Sequence, residues 1–218
     1  MSTAVILGVM VLTSYLLGSI PTGYWVAKHL RGIDIRDHGS GSTGATNVLR
    51  VVGKGAGLFT FVVDVLKGTV AVVAARWSLA QPWSTVPPAW GDYCLLAIAL
   101  VAVVGHSKPI WLGWRGGKSV ATSLGVLLAL NWPTGLVTFG VFLVVLALSR
   151  IVSLGSILAA LSLPLWFWWF TGSLPFVGFS ILASAFVIWR HQSNIQRLIA
   201  GTEPRLGGRS GNSAADLN

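Results

Sequence analysis

Four polar stretches of this chain carry residues suited to handling an anion, and each borders an apolar run. The first, 39–47, reads GSGSTGATN, in which Gly39, Gly41 and Gly44 spell G-x-G-x-x-G. Glycines let the backbone approach a ligand closely and adopt positive φ, so successive N–H groups can converge on an anion. Ser40 and Asn47 add a hydroxyl and an amide, and Arg36, Arg50 and Lys54 flank the loop with positive charge. The second stretch contains RGGKS, with Arg115 and Lys118 around two glycines just ahead of an apolar segment. A lysine beside free N–H groups at a helix start makes an anion cradle. In the third, Ser153 and Ser156 stand three apart and share a helix face. They either face a ligand or bond back to their own helix. In the fourth, His191 and Asn194 are also three apart and Glu203 follows.

Three chemistries that these residues imitate are excluded by context. Asp64 lies twenty residues past Gly44, where a ribose-binding acid would stand in a dinucleotide site. That fingerprint requires a strand before the loop and a βαβ unit around it. Here Asp64 falls inside the apolar segment GLFTFVVDVLKGTV, three residues from Lys67 on the same helical face, where a structural ion pair is expected. A P-loop would need glycine at position 112, which is Leu112. His29 and Asp34 have the H-x-x-x-x-D spacing of a large acyltransferase superfamily with a histidine base, but two residues at one spacing match easily by chance. The six acids are scattered and no histidines cluster, so no metal is expected. His106 reads as a base or as a satisfied interfacial histidine.

The elements that must position these stretches are membrane helices. Of 218 residues 54% are hydrophobic and only 10% charged, against about 25% charged in an average soluble domain. Mean hydropathy is +0.74. The expected fold is therefore all-α and polytopic. Apolar segments run roughly 3–27, 56–76, 92–105, 119–131, 134–149, 152–171 and 174–190. Seven spans are expected, or five if the fourth and fifth segments form a re-entrant pair. The first is read as a retained helix, not a signal peptide. Lys28, Arg31, Arg36, Arg50, Lys54, Lys108, Arg115, Lys118, Arg150, Arg190, Arg197, Arg205 and Arg209 then share one side, leaving only Arg76 opposite and Lys67 within a span. The positive-inside rule puts that side, with the C-terminus and all four polar stretches, in the cytoplasm and the N-terminus outside. Trp77, Trp83, Trp90, Tyr93 and the run 166–170 read as an outer aromatic belt. Cys94 is the only cysteine, so no intramolecular disulfide forms. A single domain is expected over 1–206, with a small, polar, disordered tail over 207–218. The basic residues form no nucleic-acid stripe.

GSIPTGYWVAK, GSGSTGATNVLR, DVLKG, GHSKPIWLGWRGGKSVAT, IVSLGS and HQSNIQRL occur in this order between residues 18 and 206. Together they resemble the bacterial acyl-phosphate-dependent glycerol-3-phosphate acyltransferases, the PlsY family. The resemblance implies a multi-pass enzyme of the bacterial inner membrane with its active site on the cytoplasmic face. It implies transfer of a fatty acyl group from acyl phosphate to the 1-hydroxyl of sn-glycerol 3-phosphate, without cofactor or metal. The implied partners are these two substrates, membrane lipid and the soluble enzyme that supplies acyl phosphate. By the family pattern, Ser40, His191 and Asn194 are catalytic, and Gly39, Gly41, Gly44, Asn47, Arg50, Lys118 and Ser156 bind substrate. Whether His191 or a substrate phosphate takes the hydroxyl proton is open at this level. The family usually has asparagine where this chain has Ser42 and a second glycine where it has Ser119. The rival readings are a transporter of a phosphorylated anionic solute, which would call for polar mid-span residues and an inverted repeat, and a non-catalytic membrane assembly factor.

Overall fold

A computed structural model of the chain describes residues 2–207. The described residues form ten α-helices joined by loops and short 3-10 turns, with no strand among them. The helices are α1 (Thr3–Ser19), α2 (Thr22–Arg31), α3 (Ala45–Val51), α4 (Lys54–Leu79), α5 (Gly91–Ser107), α6 (Val120–Leu130), α7 (Trp132–Ser149), α8 (Val152–Thr171), α9 (Leu174–Arg190) and α10 (Gln192–Ile199). Nearly all of the expected disordered tail lies outside the described residues.

Each of the seven apolar segments contains or becomes a helix, but they are not seven equal spans. Five stretches are long and apolar enough to cross a membrane: Thr3–Arg31, Lys54–Leu79, Pro88–Leu112, Trp132–Ser149 and Val152–Thr171. The α9–α10 pair, bent by 62°, passes the same test only when its two helices are taken together. α6 is the exception. Its 11 residues rise about 16 Å, half of the roughly 30 Å hydrocarbon core. It lies against the C-terminal half of α4: Thr69 Oγ1 donates to Gly125 O at 3.1 Å, and Arg76 Nη2 donates to Leu130 O at 3.0 Å. The preceding segment 113–119 therefore enters the bundle as loop, and Lys118 is carried inward with it.

Polar side chains give these helices little to pack with, so small residues bring the backbones together. A Cβ on Gly18 would overlap the Ala102 carbonyl, and one on Gly125 the Val65 carbonyl. The core includes Ile6, Met10, Val72, Leu96, Ile98, Val103, Val126, Leu163, Phe167 and Phe179, contributed by α1, α4, α5, α6, α8 and α9. Leu58, Phe59, Val73, Leu143, Val144, Leu161 and Leu182 face outward, as in helices surrounded by hydrocarbon. Trp77, Trp83, Trp90 and Tyr93 are exposed near one end of the bundle. In the 166–170 run Trp168 and Trp169 are exposed, but Phe167 is fully buried in the core.

Candidate functional site

At the end of the bundle opposite those tryptophans, four connections meet: α2 to α4, α5 to α6, α7 to α8, and α9 with α10. One cavity there is lined by Ser40, Gly44, Asn47, Arg50, Lys118, Ser156, His191 and Asn194, eight of the ten site residues expected from sequence. Gly39 and Gly41 are not on its wall. They shape the loop behind it, with φ of +60° and +68°. A Cβ at Gly39 would strike Asn47 Oδ1.

Asn47 holds this loop together. It is 1% exposed. Its Oδ1 accepts the Ser40 N–H at 2.9 Å, and its Nδ2 donates to Ser42 O at 2.9 Å, His38 O at 3.0 Å and Ile35 O at 3.3 Å. The amide thus cross-links residues 35–42, and its own polar atoms are engaged within the loop. Ala45 and Thr46, whose N–H groups open α3 without intrahelical partners, line the cavity. Arg36, expected beside the anion, is directed elsewhere. It grips Asp34 in a fork at 2.6–3.1 Å, donates to Leu112 O at 3.1 Å and lies over the Tyr24 ring. It ties the first polar loop to the second.

Across the cavity the centre is Glu203, a residue that sequence reasoning noted only in passing. Its Oε1 accepts from Ser153 Oγ at 2.7 Å and Asn194 Nδ2 at 2.6 Å, and its Oε2 from Arg197 Nε at 2.7 Å. Burial pushes the carboxyl pKa up, but the hydrogen bonds from Ser153, Asn194 and Arg197 outweigh it and hold the pKa below the usual glutamate value. With Nδ2 held by Glu203, Asn194 turns Oδ1 to the Lys118 ammonium, which donates to it. Lys118 is half-buried, and desolvation pushes its pKa down to about 8, with Glu203 opposing the shift. His191 is buried, and its Nδ1 lies 2.7 Å from Val187 O, which makes Nδ1 the protonated nitrogen and leaves Nε2 as an acceptor. Desolvation pulls its pKa down to about 4, with Lys118 adding to the shift, so the ring is neutral at physiological pH. Ser156 Oγ bonds back to Val152 O at 2.9 Å, one of the two sequence readings of this serine, and the residue also lines the cavity. Arg50 reaches across to Pro204 O at 3.4 Å.

The second polar stretch reaches the cavity through an unusual turn. Ser119 adopts φ +64°, a conformation that disfavours side chains, and its hydroxyl donates to Val103 O at 2.7 Å. Glycine would adopt that backbone conformation without the cost a side chain brings. Asp64 and His106 also line the cavity. From sequence a structural ion pair is expected at Asp64, whereas His106 reads as a base or a satisfied histidine, and nothing in their spacing alone connects them to the site.

A second, apolar cleft adjoins the first. Phe61, Val120, Phe142 and Ser156 line both. The cleft continues between α6, α7, α8 and α9 past Leu127, Thr138, Ala160, Leu163, Phe179 and Ala183. A basic, hydroxyl-rich cavity that adjoins an apolar slot inside a membrane bundle defines an integral membrane protein that handles an anionic, chain-bearing molecule.

Comparison with known proteins narrows that class. The family described as "Glycerol-3-phosphate acyltransferase" matches residues 8–201. A curated protein of that name from Thermosynechococcus vestitus is 75% identical over 211 residues, covering 97% of this chain and all of the relative. One from Acaryochloris marina is 54% identical, covering 92% of each chain. Among solved structures, the glycerol 3-phosphate form of PlsY (YgiH), an integral membrane glycerol 3-phosphate acyltransferase, superposes with TM-score 0.83 at 37% identity, covering 92% of this chain and 96% of that one. Its lysophosphatidic acid form superposes with TM-score 0.79. The chain belongs to the glycerol-3-phosphate acyltransferase family, and it is an acyltransferase.

Proposed function

We propose that the chain transfers an acyl group from an acyl phosphate to the 1-hydroxyl of sn-glycerol 3-phosphate, giving 1-acyl-glycerol 3-phosphate and inorganic phosphate. The observation that carries this reading is that the two cavities adjoin and share wall residues. The reaction needs room for two phosphates and one long chain, and the basic cavity and the apolar cleft meet at Ser156, Phe61, Val120 and Phe142.

In this reading Lys118 and Arg50 hold the phosphate of glycerol 3-phosphate. The loop 39–46, with the Ser40 hydroxyl and the N–H groups of Ala45 and Thr46, faces the phosphoryl group of the acyl donor. The acyl chain lies in the apolar cleft with its carbonyl near Ser156. His191 Nε2 accepts a hydrogen bond from a glycerol hydroxyl and aims it. A neutral imidazole of pKa about 4 is a weak proton acceptor at neutral pH, so the proton passes instead to the phosphate that leaves. The hydroxyl oxygen bonds to the carbonyl carbon, the bond from that carbon to the phosphate oxygen breaks, and phosphate departs with the proton. Acyl phosphate is already activated, so no enzyme-bound acyl intermediate is required. Positioning and charge stabilisation account for the rate.

The concentration of basic residues at the cavity end of the bundle supports a site at the cytoplasmic face of the bacterial inner membrane. The donor then arrives from a soluble enzyme on that side. The test is direct: purified protein in detergent with palmitoyl phosphate and glycerol 3-phosphate should release phosphate and form the acylated product. Arg50→Ala and Lys118→Ala should raise KM for glycerol 3-phosphate by about tenfold or more. Folded protein without transfer would end the reading, and unchanged kinetics in both variants would end the phosphate assignment. For orientation, a single cysteine at position 173 in a Cys94→Ala background should react with an impermeant reagent in intact cells. Protection there, with labelling at position 37, would reverse the topology.

A further inference from the structure

We propose that the buried cluster Asp64, Lys67 and His106 is a positioning device for Lys118, acting through the contact between the His106 ring and the backbone of Gly117. The proposal rests on the assignment of Lys118 to the phosphate.

The three side chains are nearly inaccessible: Asp64 is 1%, Lys67 5% and His106 6% exposed. Lys67 Nζ sits 2.8 Å from Asp64 Oδ1 and donates to Ile20 O at 2.8 Å, at the break between α1 and α2. Asp64 Oδ1 is 3.6 Å from His106 Nδ1. Charges in an apolar bundle are costly, and helices of this kind pack well on small and aliphatic residues alone. Helix association therefore gives no reason for three ionisable groups at one depth.

Their location supplies the reason. The His106 carbonyl accepts the Gly117 N–H at 3.3 Å, and the Ser107 carbonyl accepts the Gly116 N–H at 3.2 Å. Ser107 Oγ and Arg190 Nη2 donate to Gly117 O at 2.9 and 3.1 Å. A Cβ on Gly117 would fall on the His106 imidazole, whose ring atoms are its three nearest neighbours. Gly117 is not among the positive-φ residues, so its backbone would accept alanine. The nearest obstacle to a side chain there is the ring. The imidazole is thus the template against which the Gly116–Gly117 turn is pressed, and the next residue is Lys118. Asp64 faces the ring as a charge 3.6 Å away, Lys67 is ion-paired with Asp64, and Lys67 is tied to Ile20 O by a hydrogen bond. The chain of contacts runs from the α1–α2 break through α4 and α5 to the phosphate-facing lysine.

A double-mutant cycle tests this. Gly117→Ala in the otherwise unchanged protein should raise KM for glycerol 3-phosphate about tenfold or more, with KM for acyl phosphate within about twofold. In a His106→Ala background, where the ring is gone, the same change should alter KM less than about twofold. Asp64→Asn, which keeps size and loses charge, should raise the same KM. If His106→Ala does not give folded protein by size exclusion, His106→Ser completes the cycle with the same vacancy. Equal effects of Gly117→Ala in both backgrounds, or losses in kcat alone, would overturn the proposal. Lys118→Ala in the same assay separates the two levels. If it raises KM while the cycle is additive, this inference fails alone. If it leaves KM unchanged, the phosphate assignment fails and this inference with it.

Discussion

Replacing Glu203 by glutamine changes one atom's chemistry at the centre of the site. In the native protein the carboxylate accepts three hydrogen bonds at 2.6–2.7 Å, from Ser153, Asn194 and Arg197. Glutamine keeps one acceptor oxygen, which can still receive Ser153 and Asn194. Those two bonds fall from charge-assisted to neutral, a loss of about 1 kcal/mol each. The amide nitrogen then faces Arg197 Nε, donor against donor. Arg197 is more than a third exposed, so solvent limits that loss to about 1 kcal/mol. The total is about 3 kcal/mol, shared between stability and the orientation of Asn194. Because Asn194 Oδ1 is the acceptor for Lys118, the orientation share should appear in the handling of glycerol 3-phosphate. The expected outcome is a Tm lower by several degrees and kcat/KM for glycerol 3-phosphate reduced by about tenfold to a hundredfold. The assay is phosphate release from palmitoyl phosphate at varied glycerol 3-phosphate, with thermal unfolding in the same detergent. If Glu203→Gln matches the native protein in both measurements, Glu203 does not organise the site.

Three further outcomes are expected. Lys118, with its pKa pushed down to about 8, is the protonated phosphate partner below that pH, so KM for glycerol 3-phosphate should rise as pH passes about 8, and Lys118→Arg should remove that rise. Ser119→Gly relieves a left-handed serine but loses its bond to Val103 O, two terms of about 1 kcal/mol that oppose each other, so Tm should barely move; Ser119→Ala keeps the strain and loses the bond, and should lower Tm. Ala160→Phe should fill the apolar cleft about 6 Å beyond Ser156, raising KM for palmitoyl phosphate while sparing butyryl phosphate, whose chain ends before that level. An unchanged KM for palmitoyl phosphate would place the acyl group elsewhere.

The helical membrane character and the four polar stretches were legible in the chain because apolar runs and local clusters are properties of neighbouring residues. Arg50, Lys118, His191 and Asn194 stand out as members of those clusters, whereas Ser40 and the roles given to all five came from the family resemblance. Span length was less so: α6 is too short to cross because 113–119 enters the bundle as loop, which hydropathy does not register. Asn47 and Arg36 read alike from sequence, as polar residues beside a glycine loop. The fold directs Asn47 inward as the loop's cross-link and Arg36 to Asp34 and Leu112. Glu203 was hard to weigh because its partners stand at 153, 194 and 197, and only the meeting of the α7–α8 and α9–α10 turns brings Ser153 to it.

By itself, the sequence determined that this chain lies in a membrane, that its basic and hydroxyl-bearing residues gather in four stretches, and that those stretches suit phosphate. Composition and periodicity suffice for that, since transfer to hydrocarbon depends on each residue type and its spacing. Only the tertiary structure decided that the stretches share one cavity, that an apolar cleft adjoins it, and that Asp64 and His106 lie at its wall. Those are distances between residues far apart in the chain, and they are decided by how helices with small-residue faces close on one another.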